Sequence, residues 1–190
     1  YDIDDRIEEL AKAGAEIARE SAEKYEKKDG RMRWTLGSMG PGTKLPSLGH
    51  TTYDHLKKTF ALQAKGLILG GADAFMVETS QDLLQTKAAI NGCRVAMVET
   101  DTRLPLFVEV TVETTGTMLM GSEINAALTA LEPLGIDMIG LNCATGPQEM
   151  SEHLRQLSQH AEIPVMVMPN AGLPVLTATG ASYPLSPDDL

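Results

Sequence analysis

Five short apolar runs punctuate this chain at intervals of roughly 25 to 40 residues, and segments with helical periodicity fill the gaps between them. The runs cover residues 34–38, 74–78, 106–112, 138–143 and 165–168. Parallel strands cannot be joined by tight hairpins; each pair needs a crossover of a dozen residues or more, usually a helix. Strands that are apolar nearly throughout are strands buried on both faces. The pattern therefore dictates an α/β fold built on a parallel sheet.

The intervening segments read as helices with recognisable ends. Residues 3–27 carry Ile7, Leu10, Ala11, Ala15, Ala18 and Ala22 at helical spacing, with Glu and Lys on the other face, and Asp29-Gly30 closes them as a turn. Residues 53–69 run to the stop at Gly70-Gly71. Further helices are expected over 82–98, 123–134 and 147–160, the last opening on Pro147, where no amide hydrogen is missed. Only 4% of the residues are aromatic, whereas Met, Ala, Gly and Leu are plentiful, which suits helices packed on a buried sheet.

Two architectures fit: an open doubly wound sheet, or a segment of an eight-fold barrel. No GxGxxG fingerprint follows any strand. Polar residues instead gather where the strands end: Ser38, Glu78, Thr111 and Glu113, Asn142 and Cys143, and Asn170. Barrels bring all strand ends to one face and place their chemistry there, whereas an open sheet gathers such residues only beside its switch point. The barrel is the better reading. Five strands are too few to close one. The expectation is thus a (β/α)8 TIM barrel truncated to strands 3–7, with residues 1–190 forming one partial domain.

Charge and cysteine content narrow the partners. The formal charge is -10, from 26 acidic and 16 basic residues, a field that repels nucleic acid and anionic membrane surfaces. The two cysteines, Cys93 and Cys143, lie far apart and suggest no disulfide framework, so a reducing compartment is expected. With no apolar run of about 20 residues and no signal-peptide pattern, the expected location is the cytoplasm.

The most informative stretch is Gly140-Leu141-Asn142-Cys143-Ala144-Thr145-Gly146-Pro147. Here a cysteine at the lip of a buried strand stands just before a helix start. Nearby amides and the positive end of a helix dipole favour its thiolate. Such a residue is either a small buried hydrophobe or a metal ligand or nucleophile. Glu78, closing an apolar strand, either caps the following helix or meets a cation. Asn142 offers a donor and an acceptor beside Cys143, either to a ligand or to the loop backbone. Ser38 and Asn170 point to the same rim, and either could simply hold its loop. Cys93 falls inside a helix and is expected to pack. His50, His55, His153 and His160 have no ligand spacing and are expected to be exposed. Glu109 and Glu113, alternating with Val108, Val110 and Val112, receive no role.

The Gly-Leu-Asn-Cys-Ala-Thr-Gly-Pro stretch resembles the first zinc-cysteine motif of the homocysteine S-methyltransferase family, in the form found in its cobalamin-dependent methionine synthase branch. Four other segments agree in order. They are the loop from Gly37-Ser38-Met39-Gly40-Pro41 to Leu48, the unit from Gln63 to Thr79, Thr115-Gly116-Thr117-Met118-Leu119-Met120-Gly121, and Pro169-Asn170-Ala171-Gly172-Leu173-Pro174. The resemblance implies that Cys143 is a zinc ligand and that Glu78 binds the homocysteine amino group, with Asn142, Ser38 and Asn170 lining the substrate site. It also implies two further zinc cysteines from a Gly-Gly-Cys-Cys-Gly-like motif, which is absent from these 190 residues. The segment alone is then expected to be inactive. In the intact protein, cobalamin and folate domains are the expected partners, and methylcobalamin the methyl donor. Alternatives are a stand-alone methyltransferase using betaine or S-methylmethionine, or a non-catalytic α/β scaffold. A barrel cut in this way exposes strand edges and is expected to self-associate or to have low stability.

Overall fold

The computed structural model describes residues 3–178, 180–183 and 185–189. Five parallel strands form one sheet: β1 (Leu36–Met39), β2 (Ala74–Ser80), β3 (Leu106–Val110), β4 (Met138–Asn142) and β5 (Val165–Met168). They lie side by side in chain order, without the reversal that defines a doubly wound sheet. Between them run α2 (Tyr53–Leu69), α3 (Leu83–Glu99), α4 (Ile124–Leu131) and α5 (Pro147–His160), while α1 (Ile7–Asp29) precedes β1.

All of these crossovers cover one face. The main core joins Phe75, Val77, Val108, Val110, Ile139 and Leu141 to Phe60, Ala64 and Leu67 of α2, Ile90 of α3, Leu128 of α4 and Leu157 of α5. Because side chains alternate along a strand, Ser38, Met76, Glu78, Phe107, Glu109, Gly140, Asn142 and Met166 belong to the opposite face. Sequential parallel strands with helices on one side are an arc of a (β/α)8 barrel, and the helix-free face is its lumen.

The helices start and stop for local reasons. Thr52 and Asp82 cap α2 and α3, accepting the amides of His55 and Leu84. Gly30 ends α1 in the left-handed region, its amide donating to the Glu26 carbonyl. Boundaries differ from expectation where tertiary contacts intervene. β1 starts at Leu36 because the Thr35 amide turns to the Asp73 carboxylate (2.6 Å), which also pairs with Arg19. β3 ends at Val110. Residues 132–134, expected as the end of α4, tighten into a 3-10 turn containing Pro133. An antiparallel hairpin, β6 (Val175–Thr177) with β7 (Gly180–Ser182), was not anticipated. Among the described residues, no helix is long and apolar enough to cross a membrane.

Candidate functional site

The C-terminal ends of β1 to β4 form the rim expected to carry chemistry. A bulge shapes it. Val77 pairs with Val108, but the next pair is Ser80 with Val110, so Glu78 and Thr79 together face Glu109. Thr79 adopts φ 56°, a left-handed conformation that a β-branched residue holds only when its surroundings enforce it.

The enforcing contacts come from β4. The Thr79 amide donates to Asn142 Oδ1 (2.9 Å), and Asn142 Nδ2 donates back to Thr79 Oγ1 (2.8 Å). The same Nδ2 reaches Cys143 Sγ at 3.6 Å, and Thr79 Oγ1 lies 3.9 Å from that sulfur. With Thr79 Oγ1 already accepting from Asn142, its own proton is free for the sulfur. Thr111 Oγ1 donates to the Asn142 carbonyl (3.0 Å). Asn142 is 2% exposed with both ends of its amide engaged, held between Thr79 of β2 and Thr111 just past β3.

Cys143 is half-buried, with φ 59°, followed by Ala144 at φ 56°. This pair of left-handed residues turns the chain sharply before α5. The Glu149 carboxylate accepts the Gly146 amide (3.1 Å), and the Asn170 amide donates to the Thr145 carbonyl (3.0 Å), bringing the loop after β5 beside the cysteine turn. Asn170 is thus on the rim through its backbone. Glu113 lies beyond β3, its amide donating to the Thr117 carbonyl.

Glu78 is half-buried and accepts a hydrogen bond from Ser38 Oγ (2.6 Å). It does not cap α3. Asp82 does, and the same Asp82 carboxylate accepts the Ser47 amide and hydroxyl, tying the glycine-rich loop after β1 to the rim. Ser38, Glu78, Asn142 and Cys143 therefore stand on one side of the sheet, with Thr79 linking the last two to the residue next to it.

Sequence reasoning passed over two residues. One is Thr79, which only the bulge brings to the sulfur. The other is Glu109, 0% exposed, with no hydrogen-bond partner for either carboxylate oxygen among the described residues. Burial, and secondarily the charge of Glu78, push its carboxyl up to about 7. A glutamate on the lumen-facing phase of an otherwise apolar strand was the available signal.

The donor set accommodates a metal only in part. Among the described residues, no group of three or more His, Cys, Asp or Glu side chains is placed to hold an ion. Cys143 fits one position of a thiolate zinc site, because its sulfur faces the rim and two side chains steer it. Cys93 cannot join it. That thiol is fully buried in α3, lies 3.5 Å from Met39 Sδ, and burial pushes it up to about 12. Of the histidines, His50, His55 and His160 are exposed, whereas His153, expected at the surface, is half-buried on α5.

The profile of the Homocysteine S-methyltransferase family matches residues 1–190. The chain belongs to that family. It is 64% identical to the methionine synthase of Mycobacterium tuberculosis and 63% identical to that of Mycobacterium leprae, in each case over all of its 190 residues. It spans only 16% of the length of those relatives. Among solved structures, it is similar to the homocysteine methyltransferase MmuM from Escherichia coli. The apo form superimposes with a TM-score of 0.74 at 19% identity, covering 89% of this chain and 62% of that one. The metallated form gives 0.72 at 19% identity, covering 87% and 59%. At that identity the likeness establishes the fold, and the family's arc of barrel is the one observed.

Proposed function

We propose that residues 1–190 are a partial barrel domain supplying the homocysteine-binding, zinc-dependent half-site of a cytoplasmic, cobalamin-dependent methionine synthase. One observation carries this reading: an anchored carboxylate, Glu78, and a rim cysteine, Cys143, are joined through Thr79 and Asn142 on the lumen side of the sheet. A carboxylate and a sulfur-directed site suit the two ends of a small thiol amino acid. The 64% identity to a methionine synthase, against 19% to the homocysteine methyltransferase MmuM, favours the cobalamin-linked branch over a betaine or S-methylmethionine enzyme.

The roles follow from position. Glu78, held by Ser38, receives the substrate ammonium. Cys143 provides one zinc ligand, and two more come from outside these residues. When bound, zinc lowers the acidity barrier of the homocysteine thiol so that it reacts as a thiolate near neutral pH. Asn142 and Thr79 fix the sulfur end of the pocket, and Asn170 closes its edge. A cobalamin, carried with a folate site on other domains, would supply the methyl group to that thiolate.

Replacing Glu78 with Gln in the full-length protein is expected to raise KM for homocysteine about 10- to 100-fold while kcat changes little, since a charge-assisted contact made equally in ground and transition states is lost. An unchanged KM would remove Glu78 from the pocket.

Residues 1–190 by themselves are expected to self-associate. Among the described residues β1 and β5 each leave one edge unpaired, and Trp34 and Leu36 are 68% and 45% exposed beside the first. Size-exclusion chromatography with light scattering checks this. A stable monomer would count against an interrupted barrel.

A further inference from the structure

The least explained group in the molecule is Glu109. It lies on β3, the middle strand, between Val108 and Val110, and all three are 0% exposed. Among the described residues, neither of its carboxylate oxygens has a hydrogen-bond partner. An ionised carboxylate buried in that way is strongly disfavoured, so the group takes up a proton instead.

Its surroundings are specific. Register and alternation place it on the lumen face, directly across from the bulge that carries Glu78. On its other side the paired residue is Gly140. A Cβ there would meet the Met166 carbonyl oxygen at 2.4 Å and Glu109 Cγ at 3.2 Å, so glycine leaves the space into which the glutamate fits. The lumen-facing neighbours on β1, β4 and β5 are Ser38, Gly140 with Asn142, and Met166, none of them charged. Among the described residues, Glu78 on β2 is the acidic neighbour whose charge raises it further.

We propose that Glu109 is a positioning residue that reports on the neighbouring carboxylate: it holds a proton while Glu78 is unoccupied and releases it when a cationic amino group settles there. The inference rests on the reading of Glu78 as the ammonium site. The balance is simple. The neutral acid becomes a carboxylate, its proton goes to solvent, and the incoming ammonium supplies the compensating charge. Two carboxylates then face one cation, which locks the amino-acid head more firmly than Glu78 alone. Amines lacking the positive charge trigger no release.

A ligand whose arrival expels a proton binds more tightly as pH rises. With a carboxyl at about 7, the effect falls between roughly pH 6 and 8. Titration calorimetry of L-homocysteine into the full-length protein, in buffers of different ionisation enthalpy at pH 6.5, counts the protons released. The wild type is expected to release about half a proton more than Glu109→Gln, both sharing the proton from the substrate thiol. The ratio of KM for homocysteine in the wild type to that in the variant is expected to fall about fivefold from pH 6 to 8, the thiol proton cancelling between them. Infrared difference spectra of the wild type supply a measurement independent of the variant's folding: a protonated-carboxylic-acid carbonyl band should disappear on adding homocysteine. Equal proton counts in both proteins, or no such band, overturn the role of Glu109 alone. Failure of the wild type to bind homocysteine overturns the underlying pocket as well.

Discussion

Cys143→Ala in the full-length protein is expected to abolish stoichiometric zinc and to lower methyl transfer to homocysteine at least about 1,000-fold. A zinc–thiolate bond of about 2.3 Å has no substitute in a methyl group, and losing one of three protein ligands weakens the metal far more than the 10- to 100-fold cost of disturbing its supporting contacts. The local structure explains why this sulfur is suited to the task. Consecutive left-handed residues, Cys143 and Ala144, lift it onto the rim, and Asn142 and Thr79 approach it from the same side. Strain of that kind persists only where the surroundings over-determine it. Cys93→Ala is the matched control. Its thiol is enclosed beside Met39, so that change should leave a small cavity and unaltered zinc. Metal analysis of both purified variants decides the matter. Zinc retained at one equivalent after Cys143→Ala would end the zinc-dependent assignment.

The sequence spoke most clearly where chemistry is local. Proline at the first turn of α5 and the paired glycines after α2 set ends that match to the residue, and five apolar runs each became a strand. Strand order was legible because polar residues at every strand end require a common rim. What stayed hidden depends on neighbours distant in the chain. The β2 bulge exists because Thr79 bonds a residue 63 positions away, and nothing in Val-Glu-Thr-Ser announces an extra residue. Glu109 stood out only as alternating with Val108 and Val110 and received no role, whereas pairing on both sides buries it. Its room is provided by Gly140, which in sequence is only the first letter of the cysteine motif. The hairpin of β6 and β7 lies in a stretch rich in small and polar residues, where neither period was visible.

Helix packing beneath the rim rests on two glycines, and Gly70→Ala or Gly66→Ala is expected to destabilise the fold by about 2 to 4 kcal/mol. Alanine inside a helix is ordinarily worth up to about 1 kcal/mol over glycine. Here the added methyl has nowhere to go. At Gly66 a Cβ would stand 2.3 Å from the Glu8 carbonyl oxygen of α1. At Gly70 it would stand 2.4 Å from that of Lys12 and 2.6 Å from Ala15 Cβ. These neighbours are backbone and a short side chain, so relief requires α1 and α2 to separate rather than a rotamer to turn. Gly14, on α1, has nothing within 4 Å of its Cβ position, and Gly14→Ala should instead stabilise by up to about 1 kcal/mol. Opposite signs for one chemical change isolate packing from helix propensity. The consequence reaches the rim, because α1 and the start of β1 share Asp73, which pairs with Arg19 and accepts the Thr35 amide. Moving α1 therefore disturbs the strand that delivers Ser38 to Glu78. Urea denaturation midpoints of the three variants test the prediction, and a Gly70→Ala protein as stable as the parent would show that the helices are not in the close contact on which the position of β1 depends.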